Sequence, residues 1–323
     1  MADALTKLSS VAWDQAAYNR LAYFDLRPEL YFDAFADVQP TAQAMPGTSV
    51  IFNITSDMSV ASTAINESTD VDAVALADSE VAVTLYEYGN VAKSTKKLRA
   101  TSYLPVDEIL INVISYNAGV SLDTITRDVM KGGTNVRYVG GAAGRTTITP
   151  STHFGTSTAT NGADSVRRAT AELRGANVAT IGGKYVGVIH PDVSYDFRGA
   201  TGNANWRDPH TYSDPMGIWN GEIGAFEGVR FIESPRAPVF ADAGSSTTLT
   251  DVYATLIFGR QALAKAYSIQ DGGGPLPTVF PTPIIDNLRR FQGAAWYWLG
   301  GYAIFRQAAL RRIESSSSIG TNS

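Results

Sequence analysis

The chain has 323 residues, 44% of them hydrophobic and 18% charged, with a formal net charge of −5 and a pI near 5.3. That balance supports one large core or two smaller ones and leaves no polybasic arm to condense nucleic acid: within residues 1–40, Lys7, Arg20 and Arg27 stand against Asp3, Asp14, Asp25, Glu29, Asp33 and Asp37. Cysteine is absent, which removes disulfides, thiol nucleophiles and thiolate metal sites together.

The opening Met-Ala-Asp-Ala-Leu-Thr-Lys lacks the charged-then-apolar pattern of a signal peptide. The longest apolar run, Gly293 to Phe305, falls short of the roughly 20 residues that span a bilayer and reads as a buried strand. The expectation is a soluble, cytosolically made chain with no membrane partner.

Residues 1–45 carry aromatics at uneven spacing (Trp13, Tyr18, Tyr23, Phe24, Tyr31, Phe32, Phe35). Asp14 to Ala22 suits a short helix, which Arg27-Pro28 interrupts. Such a segment buries itself poorly and is expected to lie across another surface. Residues 48–95 predict a long hairpin, with Thr48 to Thr55 as one strand and Glu80 to Tyr88 as its partner. Between them Ser56 to Ser79 carries Asp57, Glu67, Asp70, Asp72 and Asp78 with no base. An excursion that long is either functional or simply a disordered surface loop.

Residues 105–131 predict the clearest helix. Pro105 suits the first turn, Asp107 and Glu108 complement the positive end of the macrodipole, and Lys131 with Gly132-Gly133 closes it. Val106, Leu110, Val113, Asn117 or Ala118, Leu122, Ile125 and Val129 predict its apolar stripe. At about 1.5 Å per residue it spans on the order of 40 Å, the length of a strut. Val136 to Gly162 reads as a connection, Ala163 to Ala176 as a helix, and Lys184 to Pro191, Val229 to Ile232 and Val252 to Phe258 as strands. Together residues 163–275 form a mixed α/β lobe. Gly272-Gly273-Gly274-Pro275 breaks the chain, and the segments from Ala294 to Phe305 and Leu310 to Glu314 read as strands returning to the strut. Ser315 to Ser323 is expected to fray.

Catalytic constellations are scarce. His153, His190 and His210 share no metal-ligand spacing. His190-Pro191-Asp192 fits a strand-ending turn better than an acid–base site. No phosphate-binding G-x-x-x-x-G-K-[ST] and no G-x-S-x-G elbow occurs. The reading is of a non-enzyme without cofactor or metal. Lys93, Lys96, Lys97 and Arg99 form a basic cluster beside the acidic loop. They read either as a solvated strand face or as the surface that meets a neighbour's acidic loop, through pairs worth about 0.2–1 kcal/mol each.

The order of pieces then carries a resemblance. Aromatic arm, acidic-tipped hairpin, strut helix, α/β lobe and returning strands resemble the α+β Hong Kong 97-type fold of tailed double-stranded DNA bacteriophage major capsid proteins. The phrases that support it are Tyr86-Glu87-Tyr88-Gly89, Thr124 to Asp128, Gly133 to Tyr138, Val188 to Pro191, Gly221 to Arg230 and Trp296 to Ile313. The resemblance implies an N-arm (1–45), an E-loop hairpin and base (46–100), a P-domain with spine helix (101–162), mainly A-domain (163–275), and C-terminal P-domain strands with a tail (276–323).

It further implies pentamers and hexamers that close into an icosahedral head in the host cytoplasm, around double-stranded DNA bound without sequence specificity. A portal protein and, where used, separate scaffolding and decoration proteins are the implied partners. Asn66, Glu67, Asp70 and Asp72 on one side and Lys93, Lys96, Lys97 and Arg99 on the other become candidate inter-subunit contacts. Only some 45 residues precede the hairpin, so a separate scaffold, or none, is expected. Lys93, Lys96 and Lys97 are also candidates for the lysine–asparagine crosslinks of some relatives, but no partner asparagine stands out. Competing readings are an encapsulin-like compartment of the same fold, an α/β enzyme working in the 163–275 lobe, and a tail or decoration protein, against which the strut helix argues.

Overall fold

The structure is a computed structural model that describes residues 32–41, 49–55, 58, 60–62, 64, 68, 73–76, 78–102, 106–156, 160–199, 222–269, 274–283 and 286–319. Most of the N-terminal arm, its predicted helix at Asp14 to Ala22 included, lies outside these residues, as does the centre of the acidic loop.

The molecule is built on the helix over Val106–Lys131, here α2, whose bounds match the sequence expectation to within a residue. Its apolar stripe matches in part: Ala118 and Leu122 are buried, and Leu110, Ile125 and Val129 pack against the core. Ile111, Ile114, Ala118, Leu122 and Met130 are buried together with Ser115, Asp123 and Thr126, whereas Val113 is exposed. A stripe read from hydropathy assumes that the most apolar face is the covered one. Here the partner sheet selects a face that includes small and polar residues, because Asn117 accepts hydrogen bonds from Trp296 Nε1 (2.9 Å) and Asn90 Nδ2 (3.2 Å).

That sheet has five strands, β1 (Asp37–Thr41), β4 (Tyr86–Thr95), β11 (Leu263–Ser268), β12 (Thr278–Pro281) and β13 (Phe291–Ile304). The apolar run expected as a strand is β13, which pairs antiparallel with β4, β11 and β12 along its length. It buries Trp296 and Trp298, and Tyr88 stacks on Trp298 at 5.9 Å. The predicted hairpin is therefore shorter than expected. β2 (Ser49–Thr55) pairs with β3 (Asp78–Thr84), but the chain then breaks at Leu85, and β4 crosses into the β13 sheet. Continuous β propensity hides the break, since one run of residues feeds two different sheets.

After β4, the chain forms a short helix α1 (Lys96–Thr101), capped by the Thr95 hydroxyl, which accepts from the Leu98 amide. Lys96, Lys97 and Arg99 accordingly sit on a helix and not on a strand face.

The second sheet has seven strands: β5 (Val136–Tyr138), β14 (Leu310–Ser315), β10 (Val252–Phe258), β6 (Tyr185–Ile189), β8 (Val229–Glu233) and β7 (Glu222–Phe226) in spatial order, with β9 (Val239–Phe240) on β10. β6 and β10 are buried along their whole length, as strands covered on both faces must be. The helix expected over 163–176 is α3 (Gly162–Gly175), capped by Asn161. A fourth helix, α4 (Pro191–Gly199), starts where the sequence suggested only a turn: Pro191 takes the first helical position and does not merely end the strand.

The 163–275 segment is not self-contained. Strand β11 leaves it for the α2 sheet, while β5 and β14 enter it from outside. Of the two returning strands, β13 packs on α2 and β14 instead completes the second sheet. The tail does not fray at its start: Ser315, Ser316 and Ser317 are buried, and the Ser318 amide donates to Asp196 Oδ2 at 2.8 Å.

Candidate self-assembly surface

The β2–β3 hairpin is the first part of the candidate surface. Its inward residues Phe52 and Val83 pack on Ala264 and Ala266 of the α2 sheet, with Phe305 tilted against Phe52 at 5.6 Å. Its outward side is left open, with Ile51 52% exposed. Among the described residues of the loop, Met58, Val60, Val74 and Leu76 are exposed large apolar side chains, Val60 at 88%. Two strands with a single thin apolar face are marginal on their own, and each of those side chains would gain on the order of 1.5–3 kcal/mol if covered. The sequence reading fixed on the acids of this loop and passed over its apolar residues, although their interleaving with aspartates was visible.

The predicted contact residues divide. Asn66, Glu67, Asp70 and Asp72 lie outside the described residues. Lys93 is exposed on β4; because Asn90 reaches Asn117 of α2, strand alternation turns Lys93 to the opposite side of the sheet. Lys96 and Lys97 are exposed on α1, and among the described residues none of the three lysines forms an ion pair. Arg99 is different. Its Nε donates to Ser94 Oγ at 2.9 Å and its Nη2 lies 2.8 Å from Asp107. It bolts α1 to the start of α2 within the same chain.

Beneath this surface buried charge ties distant segments of the chain together. Asp33, just before β1, accepts from Lys265 Nζ at 2.5 Å and from Tyr302 OH at 2.6 Å. The Lys265 amine also donates to the Pro275 carbonyl at 2.7 Å. Burial draws the Lys265 pKa down, against the opposing pull of Asp33, and burial first and Asp33 second push the Tyr302 hydroxyl well above its ordinary value. In the second sheet Glu314, fully buried, accepts from Arg145 through both oxygens (2.8 and 2.7 Å) and faces Arg312 Nε at 2.8 Å. Sequence reasoning missed both clusters, since their members are remote along the chain.

The arrangement offers little chemistry. Among the described residues, no group of three or more histidines, aspartates or glutamates is placed to hold a metal ion. A cleft of about 310 Å³ is lined by Thr134, Asn135, Arg137, Glu172 and Arg311 among others; Glu172 bridges the two guanidiniums there, and no nucleophile stands beside a base. His190 packs tilted against Tyr253 at 4.9 Å, and its pKa is lowered by burial despite Asp192 and Glu233 nearby. No described helix is long and apolar enough to cross a membrane.

The described residues thus combine a hairpin whose outward side is exposed with buried charges that are paired within the chain. Residues 7–318 match the family described as phage capsid protein, and the chain belongs to that family. Among solved structures it is similar to the capsid of the cyanophage P-SCSP1u, at 14% identity and a TM-score of 0.68, covering 90% of this chain and 89% of that one. The capsid of Ralstonia phage GP4 is similar at 13% identity and a TM-score of 0.67, over 90% and 89% of the chains. The capsid of cyanophage Pam1 follows at 13% identity and a TM-score of 0.64, over 92% and 93%. At such identities these likenesses speak for the fold. No curated protein matches the chain.

Proposed function

We propose that this major capsid protein forms the phage head by closing as pentamers and hexamers into an icosahedral shell around double-stranded DNA, assembled in the host cytoplasm. In this reading β2–β3 and its loop are the E-loop, α2 is the spine helix, the β13 sheet is the P-domain and the β10 sheet is the A-domain. The observation that carries it is the hairpin: a two-stranded element with an open outward side and exposed apolar residues in its loop, which a neighbouring subunit would cover.

Lys93, Lys96 and Lys97, without an ion pair among the described residues, are the cations that would meet the neighbour's loop acids Glu67, Asp70 and Asp72. Arg99, engaged with Asp107, serves the fold of its own chain. Rings form when such head-to-tail contacts close by rotation. The acidic balance of the chain fits a wall that lets DNA move past it, since strong counterion-release binding would hold it. A portal protein and, where used, separate scaffolding and decoration proteins are the partners this reading implies.

Deleting 66–78 tests the reading. Uniform shells in negative-stain images of the parent, and folded but poorly closing subunits for the deletion, are expected. Normal closure without the loop would remove it as an assembly contact. A parent that stays monomeric across concentration and salt would sink the shell reading itself.

A further inference from the structure

The two faces of β14 treat their arginines differently. Strand alternation puts Arg312 and Glu314 on one face and Arg311 on the other. On the first face two guanidiniums, Arg145 and Arg312, share Glu314, and the site is closed. Arg312 donates to the Lys131 carbonyl, and the centroid of the Phe240 ring lies 3.5 Å from the Arg145 guanidinium carbon and 5.6 Å from that of Arg312.

On the other face Arg311 meets Glu172 of α3, which also pairs with Arg137 of β5. The ratio is again two guanidiniums to one carboxylate, but this group lines the open cleft of about 310 Å³. Glu172 is fully committed: its Oε1 accepts from Arg137 Nη2, and its Oε2 lies 3.1 Å from Arg311 Nε. Arg311 Nη1 reaches the Leu310 carbonyl at 3.4 Å. The Nε groups of Arg137 and Arg311 are buried and, among the described residues, have no aligned hydrogen-bond acceptor. Each guanidinium carries a fork of N–H donors and no acceptor of its own, so donors outnumber acceptors. No further charged residue lines the cleft, which leaves one positive charge uncompensated there.

The walls suit a small guest. Ala169, three residues before Glu172 and so on the same face of α3, contributes only a methyl group, and Thr134 and Asn135 add polar surface. The cleft is many times the roughly 30 Å³ that a water takes in the liquid, room for an ion and part of its hydration shell. Glu172 already supplies the planar carboxylate that such a pair can share. A tetrahedral phosphoryl group offers oxygens in several directions and can accept from two guanidiniums carried by different strands, the geometry for which arginine is suited.

We propose that the cleft between β5, β14 and α3 binds an oxyanion of the phosphoryl class, held by Arg137 and Arg311 while Glu172 keeps the two guanidiniums side by side. Free phosphate and a nucleic-acid backbone both present this chemistry. The inference concerns one chain and stands apart from the shell reading.

Equilibrium dialysis of the full chain against labelled inorganic phosphate tests it, with fluorescence anisotropy of a short duplex DNA as the second arm, both at one ionic strength set with chloride. Saturable uptake of one phosphate per chain is expected. Arg137→Gln and Arg311→Gln should each weaken it by about tenfold or more, as for a lost charge-assisted hydrogen bond. Arg289→Gln, at an exposed arginine beside β13 in the other sheet, should leave it unchanged. Duplex binding that falls in the same two variants, without uptake of inorganic phosphate, would assign the phosphoryl group to a backbone and also support the site. No binding in either arm would overturn the proposal, as would equal losses in all three variants, which mean general attraction to positive charge. Acetate displacing phosphate at equal concentration would overturn the choice of ligand. A further measurement needs no variant: the urea midpoint of the parent should rise with phosphate and not with acetate, and equal midpoints in both would contradict the site.

Discussion

Glu314 has no exposed surface and faces both Arg145 and Arg312, while Phe240 lies 3.5 Å from the Arg145 guanidinium carbon. Taking such charges out of water is costly and repaid only while every partner is present. Glu314→Gln keeps the shape but removes the countercharge, and should cost about 3–5 kcal/mol, read as a drop in the urea midpoint at unchanged slope. A loss under about 1 kcal/mol would mean that the two arginines find water instead. His190 supplies a pH effect at the same scale. Its folded pKa is lowered, chiefly by burial, so between that value and the ordinary 6.5 the unfolded chain binds the proton and the folded chain resists it. Stability therefore falls as pH drops through that window. His190→Gln should lose less stability than the parent between pH of about 7.5 and 5.5, measured as urea midpoints at the two values. Equal losses would assign the acid sensitivity to other groups. The surroundings of neither residue were legible in the sequence: His190 stood there only in a strand-ending turn, and Glu314 meets Arg145 only once β5, β10 and β14 are brought side by side.

Elements were legible where local chemistry alone defines them. The bounds of α2 follow from its acidic first turn and its Lys131-Gly132 end, and β10 and β6 from short runs of apolar residues between breakers. What escaped was the sorting of strands between sheets. β3 and β4 are nearly continuous in sequence, yet β4 follows β13 because Tyr88 stacks on Trp298 and ten consecutive residues find register there. The hairpin is then held against the sheet at Gly301, where an added Cβ would lie 2.0 Å from the Thr84 carbonyl oxygen. Gly301→Ala should force hairpin and sheet apart, costing about 1–3 kcal/mol, and the amides of β2 and β3 should lose exchange protection before those of β10. Uniform loss across both sheets would show that the hairpin is not a separate unit.

For the whole molecule, the reading depends on surfaces that one copy leaves open. Lys93, Lys96 and Lys97 contribute little to the fold, so replacing all three by Gln should leave the subunit's Tm unchanged within about 1 °C, given surface effects of about ±0.5 kcal/mol or less. Shell formation should need a higher subunit concentration and lose part of its salt dependence, because exposed pairs are weak singly but repeat at every interface. Light scattering against concentration at two ionic strengths measures this. An unchanged threshold would return these lysines to the solvated face that the sequence equally allowed.

By itself the sequence determined a strut of known length, the two strands of a hairpin, and strands fit for a two-sided cover. It did so because capping, hydrophobic period and turn chemistry act within a few residues. Only the tertiary structure decided which face of α2 is covered, which sheet each late strand joins, and that Arg99 is engaged while, among the described residues, Lys93, Lys96 and Lys97 form no ion pair. Those outcomes depend on groups such as Asp33 and Lys265 or Asn117 and Trp296, which meet across long stretches of chain and leave no mark in any local pattern.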